Sequence, residues 1–221
     1  METILLHGAL GSATQMEPLA KLNGSNATCL DFPGHGIDSG NSQAYSIEEM
    51  ALYVAGKIEE PTELFGYSMG GYVALYLAAT RPELVLRVTT LATKFDWTPE
   101  GAAKKVKMLD PMVVKEKVPA FASLLESRHG AKWQDVMTRT ADMMQELGNK
   151  PTLTESVLKK IKCPVMLMRG SEDHMVSEEE TLWAKNAIPN AIYVELEGQP
   201  HPFEKTDLRL VMNSLQSSRQ N

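Results

Sequence analysis

Six short runs of mostly apolar residues are spaced along the chain, and none shows the clean alternation of a half-exposed strand. They cover residues 3–6, 27–32, 63–67, 85–91, 165–169 and 191–196. Continuous apolar runs of this length are typical of strands that are covered on both faces of a sheet. The pattern therefore predicts a mostly parallel sheet of about six strands.

Helix-start signals lie between these runs. A hydroxyl residue followed three positions later by Glu or Gln is the capping-box pattern, and it occurs at Ser12, Ser46, Thr152 and Ser177. Strands that alternate with helices form right-handed βαβ units, which place helices on both faces of the sheet. We therefore predict the α/β class with a doubly wound sheet.

The segment 95–151 breaks this alternation because it contains no strand run. Its helical patterns are interrupted by Pro99, Pro111 and Pro119. We interpret it as an all-helical cap insertion, and residues 1–94 and 152–221 as the core that carries the sheet.

Composition and charge exclude several classes of protein. The chain has 221 residues, 43% hydrophobic and 23% charged, which is ordinary globular composition. A net charge of −6 argues against nucleic-acid binding and against an anionic membrane surface.

No run approaches the roughly 20 apolar residues of a membrane span, and the N-terminus lacks the basic region of a signal peptide. Two cysteines are too few for a disulfide framework. We expect a cytoplasmic monomer or homodimer.

The most informative motif is G-x-S-x-G, centred on Ser68. It ends the run 63–67 and leads directly into a helical pattern. In this context glycines permit a sharp strand-to-helix turn that exposes the serine hydroxyl as a nucleophile. The alternative is a glycine-rich turn in which the serine only caps the helix.

A serine nucleophile needs a base, which is usually a histidine oriented by a carboxylate. The chain offers five histidines: His7, His35, His129, His174 and His201. Only His201 lies in a short loop after the last strand run, downstream of an equally well placed acid. Since open α/β sheets form their sites at the carboxyl ends of the strands, His201 is the predicted base.

The predicted acid is Asp173, which follows the strand run 165–169. Glu172 is adjacent but should point the other way. Asp96, after the preceding strand, is an alternative acid, because a carboxylate one strand nearer the serine can orient the same imidazole. Asp173 could instead stabilise only a turn.

Acyl transfer also needs donors for the negative charge that develops on the substrate oxygen. The backbone N–H of Met69, just after the serine, is one predicted donor. The glycine-rich loop 7–11 is the expected source of the second, with Ala9 favoured and Leu10 next.

Together the motifs HGALGS, LDFPGHG, GYSMGG, RGSEDHMV and PHPFE closely resemble the α/β-hydrolase fold, in its small single-domain branch with a helical cap. The resemblance covers essentially the whole chain. It implies Ser68 as nucleophile, Asp173 as acid, His201 as base, and the backbone of Ala9 and Met69 as the oxyanion hole.

Apolar residues of the cap are the expected lining of a substrate pocket. We predict that it includes Leu10, Trp97, Met108, Met137 and Met144. The alternative is ordinary packing of the cap helices onto the sheet.

The motifs favour a serine hydrolase that acts on a small acyl substrate: an ester, a thioester or a lactone. Relatives with the same triad include C–C hydrolases and a lyase of menaquinone synthesis, and some proteins of this fold only bind small molecules. No metal-ligand spacing, phosphate loop or dinucleotide motif occurs, so we expect neither a metal nor a cofactor.

Overall fold

One six-stranded sheet forms the centre of the protein. The computed structural model describes residues 2–24, 26–37 and 45–220. The strands are β1 (Thr3–Leu6), β2 (Ala27–Leu30), β3 (Thr62–Tyr67), β4 (Val85–Leu91), β5 (Val165–Glu172) and β6 (Ala191–Pro200). Their order is β2-β1-β3-β4-β5-β6, and every neighbouring pair is parallel. This confirms the predicted fold class.

The described residues also form ten α-helices. They are α1 (Ala13–Asn23), α2 (Ile47–Ala55), α3 (Met69–Thr80), α4 (Pro99–Val106), α5 (Pro111–Lys117), α6 (Pro119–His129), α7 (Trp133–Asn149), α8 (Glu155–Leu158), α9 (Glu178–Ala187) and α10 (Leu208–Gln220). In the described ranges, every helix is too short or too polar to cross a lipid bilayer.

The sheet is covered on both faces, because successive side chains of a strand point in opposite directions. Leu5 and Phe65 pack with residues of α1 and α10 on one face. Ile4 and Leu64 pack with residues of α2, α3, α8 and α9 on the other. This two-sided burial explains why the strand runs are apolar throughout.

Between β4 and β5 all of the regular structure is helical. Each proline that interrupts the sequence pattern stands at the first position of a helix, where its missing N–H costs nothing: Pro99 in α4, Pro111 in α5 and Pro119 in α6. The four helices α4 to α7 are referred to below as the helical segment. Part of it packs around its own apolar cluster, in which Leu125 and Met137 are fully buried.

Element boundaries differ from the sequence prediction in a few places. β2 stops at Leu30, two residues early, whereas β5 and β6 continue past the apolar runs and pair as far as Glu172 and Pro200. α8 begins after Thr154 rather than at Thr152. Ser12 precedes α1, but Asp31 Oδ1 accepts from the Ala13 N–H at 2.6 Å and so caps the helix in its place.

Candidate active site

Ser68 occupies the turn between β3 and α3 in a strained conformation. Its φ is 51° and its ψ is −112°, a region that residues with a Cβ rarely adopt. Its N–H donates to Leu91 O at 2.8 Å, and its carbonyl accepts from Thr93 Oγ1 at 3.1 Å. The neighbouring strand therefore holds the backbone of Ser68 in place.

The glycines of the turn allow backbone segments to approach closely. A Cβ on Gly66 would lie 2.3 Å from the carbonyl carbon of Gly70, and a Cβ on Gly70 would lie 2.3 Å from Leu6 O. Both distances are far inside van der Waals contact. The motif therefore lets α3 start directly against the end of β1, with the positive end of its dipole beside Ser68.

His201 and Asp173 are joined by a hydrogen bond. His201 Nδ1 lies 2.8 Å from Asp173 Oδ2, and the Asp173 side chain is fully buried. Asp173 Oδ1 accepts from the N–H groups of Met175 and Val176 at 2.8 and 2.9 Å. The carboxylate is thus fixed by three donors, one of which is the imidazole.

The electrostatics of Asp173 combine opposing effects. Burial by itself raises the pKa of the carboxyl, but the hydrogen bond and charge of His201 and the two amides of Val176 and Met175 outweigh it. The pKa of Asp173 is lowered as a result, so the side chain is ionised at neutral pH. An ionised acceptor at Nδ1 keeps a proton on that nitrogen and leaves Nε2 as the basic atom.

The loop that carries His201 is held from two sides. The Tyr67 hydroxyl donates to His201 O at 3.1 Å, and the Tyr67 and His201 rings lie 5.7 Å apart between centroids. Further along, Glu204 accepts from Gln15 at 2.9 Å and from Arg128 at 2.5 Å. The loop is therefore tied both to the start of α1 and to the helical segment.

Ser68, His201, Ala9 and Met69 line one narrow pocket of about 50 Å³. Met69 is the first residue of α3, so its N–H has no acceptor within the helix. Across the described part of the chain the Ala9 N–H also has no hydrogen-bond partner. Two residues with free amides therefore line the same pocket as Ser68.

The loop that contains Ala9 is shaped by a tight turn. The Gly11 N–H donates to Gly8 O at 3.0 Å, and Leu10 has a φ of 59°. A Cβ on Gly8 would lie 2.7 Å from the Tyr67 ring, so only glycine fits there. This turn sets the direction of the Ala9 amide.

Comparison with known proteins identifies the family. Residues 4–203 match the family model of the alpha/beta hydrolase fold, which is most of the chain. The chain is an α/β hydrolase. A pimeloyl-[acyl-carrier protein] methyl ester esterase of Neisseria meningitidis (serogroup C / serotype 2a) is 30% identical to it over 199 residues, which are 80% of this chain and 76% of that protein.

Other relatives agree with this family. The sn-1-specific diacylglycerol lipase ABHD11 of Mus musculus is 32% identical over 126 residues, 52% of this chain and 41% of that protein. The crystal structure of NosK from Streptomyces actuosus has a TM-score of 0.77 at 20% identity, covering 98% of this chain and 96% of that one, and shows the same fold. This α/β hydrolase is therefore an enzyme of the carboxylic ester hydrolase type.

The two alternative acids of the α/β hydrolase lie elsewhere. Asp96 is exposed and lines a second, larger cavity together with Trp97 and Trp183. Glu172 is exposed at the end of β5. The carboxylate that contacts His201 is that of Asp173.

The predicted pocket lining is divided by the structure. Trp97 and Met144 line the pocket with Ser68, whereas Leu10 and Met137 are buried in the apolar cluster of the helical segment. Met108 is 63% exposed and does not line the pocket.

Several residues of the lining were not predicted from the sequence. These are Ile47, Tyr72, Lys94, Lys105, Met143, Leu147, Met175 and Val176. The spacing of Met143, Met144 and Leu147 on one helix was a usable signal, because residues three and four apart share a face. Nothing in the sequence marks Lys94 or Lys105 as different from solvated lysines.

Three other histidines form a buried group beside the pocket loops. His7 and His35 lie 4.8 Å apart between ring centroids, and His35 and His129 lie 5.8 Å apart. Burial lowers the pKa of His7 to about 3, and it likewise lowers the pKa of His35 and His129. All three are therefore neutral and structural at physiological pH.

No group of three or more His, Cys, Asp or Glu side chains within the described ranges could hold a metal ion.

Proposed function

We propose that the chain hydrolyses a small carboxylic ester through an acyl-enzyme on Ser68, with His201 as general base and Asp173 as the orienting acid. The observation that carries the proposal is the 2.8 Å hydrogen bond between His201 Nδ1 and Asp173 Oδ2, on an imidazole that shares a pocket with Ser68. A buried carboxylate on Nδ1 fixes the tautomer in which Nε2 can accept the serine proton.

In the first half-reaction Ser68 Oγ attacks the carbonyl carbon while its proton passes to His201 Nε2. The carbonyl electron pair moves onto the oxygen, where the N–H groups of Ala9 and Met69 donate to it. When the tetrahedral intermediate collapses, the ester C–O bond breaks and His201 gives its proton to the departing alcohol. The buried charge of Asp173 stabilises the imidazolium between these events.

In the second half-reaction a water molecule attacks the acyl-enzyme carbonyl and gives a proton to His201. The same two amides stabilise the second oxyanion. Collapse breaks the bond to Ser68 Oγ, which recovers its proton from His201, and the carboxylic acid leaves.

The pocket favours a small substrate. The pocket is narrow, at about 50 Å³, and its walls include Met143, Met144 and Leu147. The meningococcal relative is named for a methyl ester, and a methyl leaving group suits so narrow a space. A thioester or a lactone of similar size would react by the same steps.

The compartment that we propose is the cytoplasm. Cys29 and Cys163 are both free thiols, as expected in a reducing environment. A small acyl compound is the expected partner, and the chain acts as a monomer or a homodimer.

The test compares wild type with Ser68→Ala on p-nitrophenyl esters from acetate to octanoate, with fluorophosphonate labelling alongside. We expect labelling at Ser68 and faster turnover of acetate and butyrate than of octanoate. Ser68→Ala should abolish labelling and lower kcat by about 10⁶ if the triad acts as a unit. Ser127→Ala, at an exposed serine of α6, is the control and should match wild type. Turnover that survives Ser68→Ala would contradict the proposal.

A further inference from the structure

Among the described residues, the pocket beside Ser68 is lined by basic side chains and by no acidic one. Two lysines, Lys94 and Lys105, line it together with Trp97, while no Asp or Glu of the described ranges does so. Asp173 lies behind His201, which is the residue that faces the pocket. An otherwise apolar pocket bordered by lysine side chains is complementary to an anion.

The two lysines differ in how their charges are balanced. Lys94 Nζ lies 3.2 Å from Glu180 Oε2, and both side chains are largely buried. The same carboxylate oxygen accepts from the N–H groups of Phe95 and Asp96. Glu180 therefore neutralises Lys94 and anchors the start of the helical segment.

Lys105 has no such partner. It is half-buried on α4, and the described part of the chain offers its ammonium neither an ion pair nor a side-chain hydrogen bond. Burial lowers its pKa, and the nearby charge of Lys94 lowers it further, against a partial opposing effect of Glu180 and Asp173. The surroundings thus disfavour the positive charge of Lys105, and a bound anion would stabilise it.

A residue of the pocket lining also carries a buried donor without a partner. The indole Nε1 of Trp97 is buried, and no acceptor for it exists among the described residues. A buried N–H without a partner costs about 1–3 kcal/mol. A ligand oxygen that reaches this N–H would remove the cost.

We propose that the natural substrate carries a carboxylate in addition to its ester, and that Lys105 binds this carboxylate. The inference rests on the proposed function, because it names the substrate class of the same pocket. A carboxylate suits the narrow space and the single spare cation better than a phosphate, which is larger and carries more charge. Lys105 is thereby a specificity-determining residue and takes no part in bond making or breaking.

The experiment uses methyl half-esters of the straight dicarboxylic acids from succinate to adipate, each beside its dimethyl ester. The two members of a pair have the same chain length and differ in one negative charge. We expect the wild type to prefer the half-ester at the best length by about tenfold or more in kcat/KM, because a hydrogen bond to a charged group contributes about 1.5–3 kcal/mol.

The variants test the assignment to Lys105. Lys105→Met keeps an unbranched side chain only one atom shorter and should reduce the preference to below about threefold, while Lys105→Arg should retain most of it, since the charge remains. The ratio within each variant cancels any general loss of activity. Lys104→Met, at the exposed neighbour on the same helix, should keep the wild-type ratio.

The outcomes separate this inference from the proposed function. Hydrolysis of p-nitrophenyl acetate without preference for any half-ester overturns the carboxylate site and leaves the hydrolase intact. A preference that survives Lys105→Met overturns the role of Lys105. A higher kcat/KM for a methyl ester with a terminal phosphate overturns the choice of carboxylate. Failure of Ser68 to label or to turn over any ester overturns both proposals.

Discussion

At the scale of single residues, the position of Asp173 explains why His201 has a defined tautomer. Its carboxylate receives three hydrogen bonds in a fully buried position, and its pKa is lowered although burial alone would raise it. Asp96 receives no contact from the imidazole and faces a different cavity. The two carboxylates therefore offer a matched pair for mutation.

We expect Asp173→Asn to lower kcat by about 10⁴, because an amide that donates to Nδ1 would favour the wrong tautomer of His201. Asp96→Asn should stay within about twofold of wild type. Steady-state kinetics with p-nitrophenyl acetate measures both, and thermal unfolding checks that each variant is folded. Equal losses in the two variants would contradict the assignment.

Some residues of the site can be recognised from the sequence, and others depend on how the helices pack. Ser68, Asp173 and His201 could be selected because each follows a strand run at the predicted carboxyl edge of the sheet. Lys105 could not be selected from the sequence, because a lysine on an amphipathic helix is ordinarily solvated. Its half-buried position depends on how α4 packs. Met108 was selected for its apolar side chain, but it lies in a short 3₁₀ turn after α4 and faces solvent.

At the scale of elements, His129 joins three parts of the molecule. It lies at the end of α6, its Nε2 donates to Leu10 O at 3.1 Å, and its Nδ1 accepts from the Gly36 N–H at 3.1 Å. The helical segment is thereby bonded to the loops that follow β1 and β2. Leu10 is also the left-handed residue next to Ala9, so this contact supports the turn that directs the Ala9 amide.

Replacing this histidine should affect stability and activity together. We expect His129→Leu to lower the free energy of unfolding by about 2–5 kcal/mol, because two buried backbone groups lose their partners. It should also lower kcat more than it changes KM, since the loop that carries Ala9, the proposed oxyanion donor, loses its support. Urea unfolding and ester kinetics measure the two effects, and Ser127→Ala on the same helix serves as the control. An unchanged free energy of unfolding would show that the contact is unimportant.

Strand prediction succeeded where burial on both faces made the pattern unambiguous. β1 and β4 have the predicted bounds, because each is flanked by strands and covered by helices. The extensions of β5 and β6 could not be predicted from apolar runs, since residues as polar as Glu172 pair there only with the neighbouring strand. Likewise, the cap of α1 comes from Asp31, 18 residues away from Ala13 in sequence.

At the scale of the whole molecule, the buried histidines couple folding to pH. The pKa of His7 is about 3 in the folded protein and about 6.5 in the unfolded chain. The unfolded chain therefore binds a proton that the folded protein does not, over the pH range between these values. The contribution of neutral His7 to the free energy of unfolding is therefore fully present above about pH 6.5 and is lost progressively as the pH falls below it.

We expect the free energy of unfolding to fall by about 2 kcal/mol for His7 alone between pH 7.5 and pH 5.0. His35 and His129 act in the same direction, because burial lowers their pKa as well. The lowered pKa of Asp173 adds a loss only at still lower pH. Urea unfolding followed by tryptophan fluorescence measures the change. His7→Asn should reduce the pH dependence, while His174→Asn, at an exposed position, should leave it as in wild type.

The backbone of Ser68 has a consequence for how this protein changes over generations. A φ of 51° imposes on any residue with a Cβ a cost of about 1–3 kcal/mol, which glycine escapes. Selection for stability alone would therefore favour glycine at this position, and the nucleophilic role proposed for Ser68 accounts for the serine. In a duplicated gene that no longer needs this role, Ser68→Gly is a substitution that would make the inactive descendant more stable.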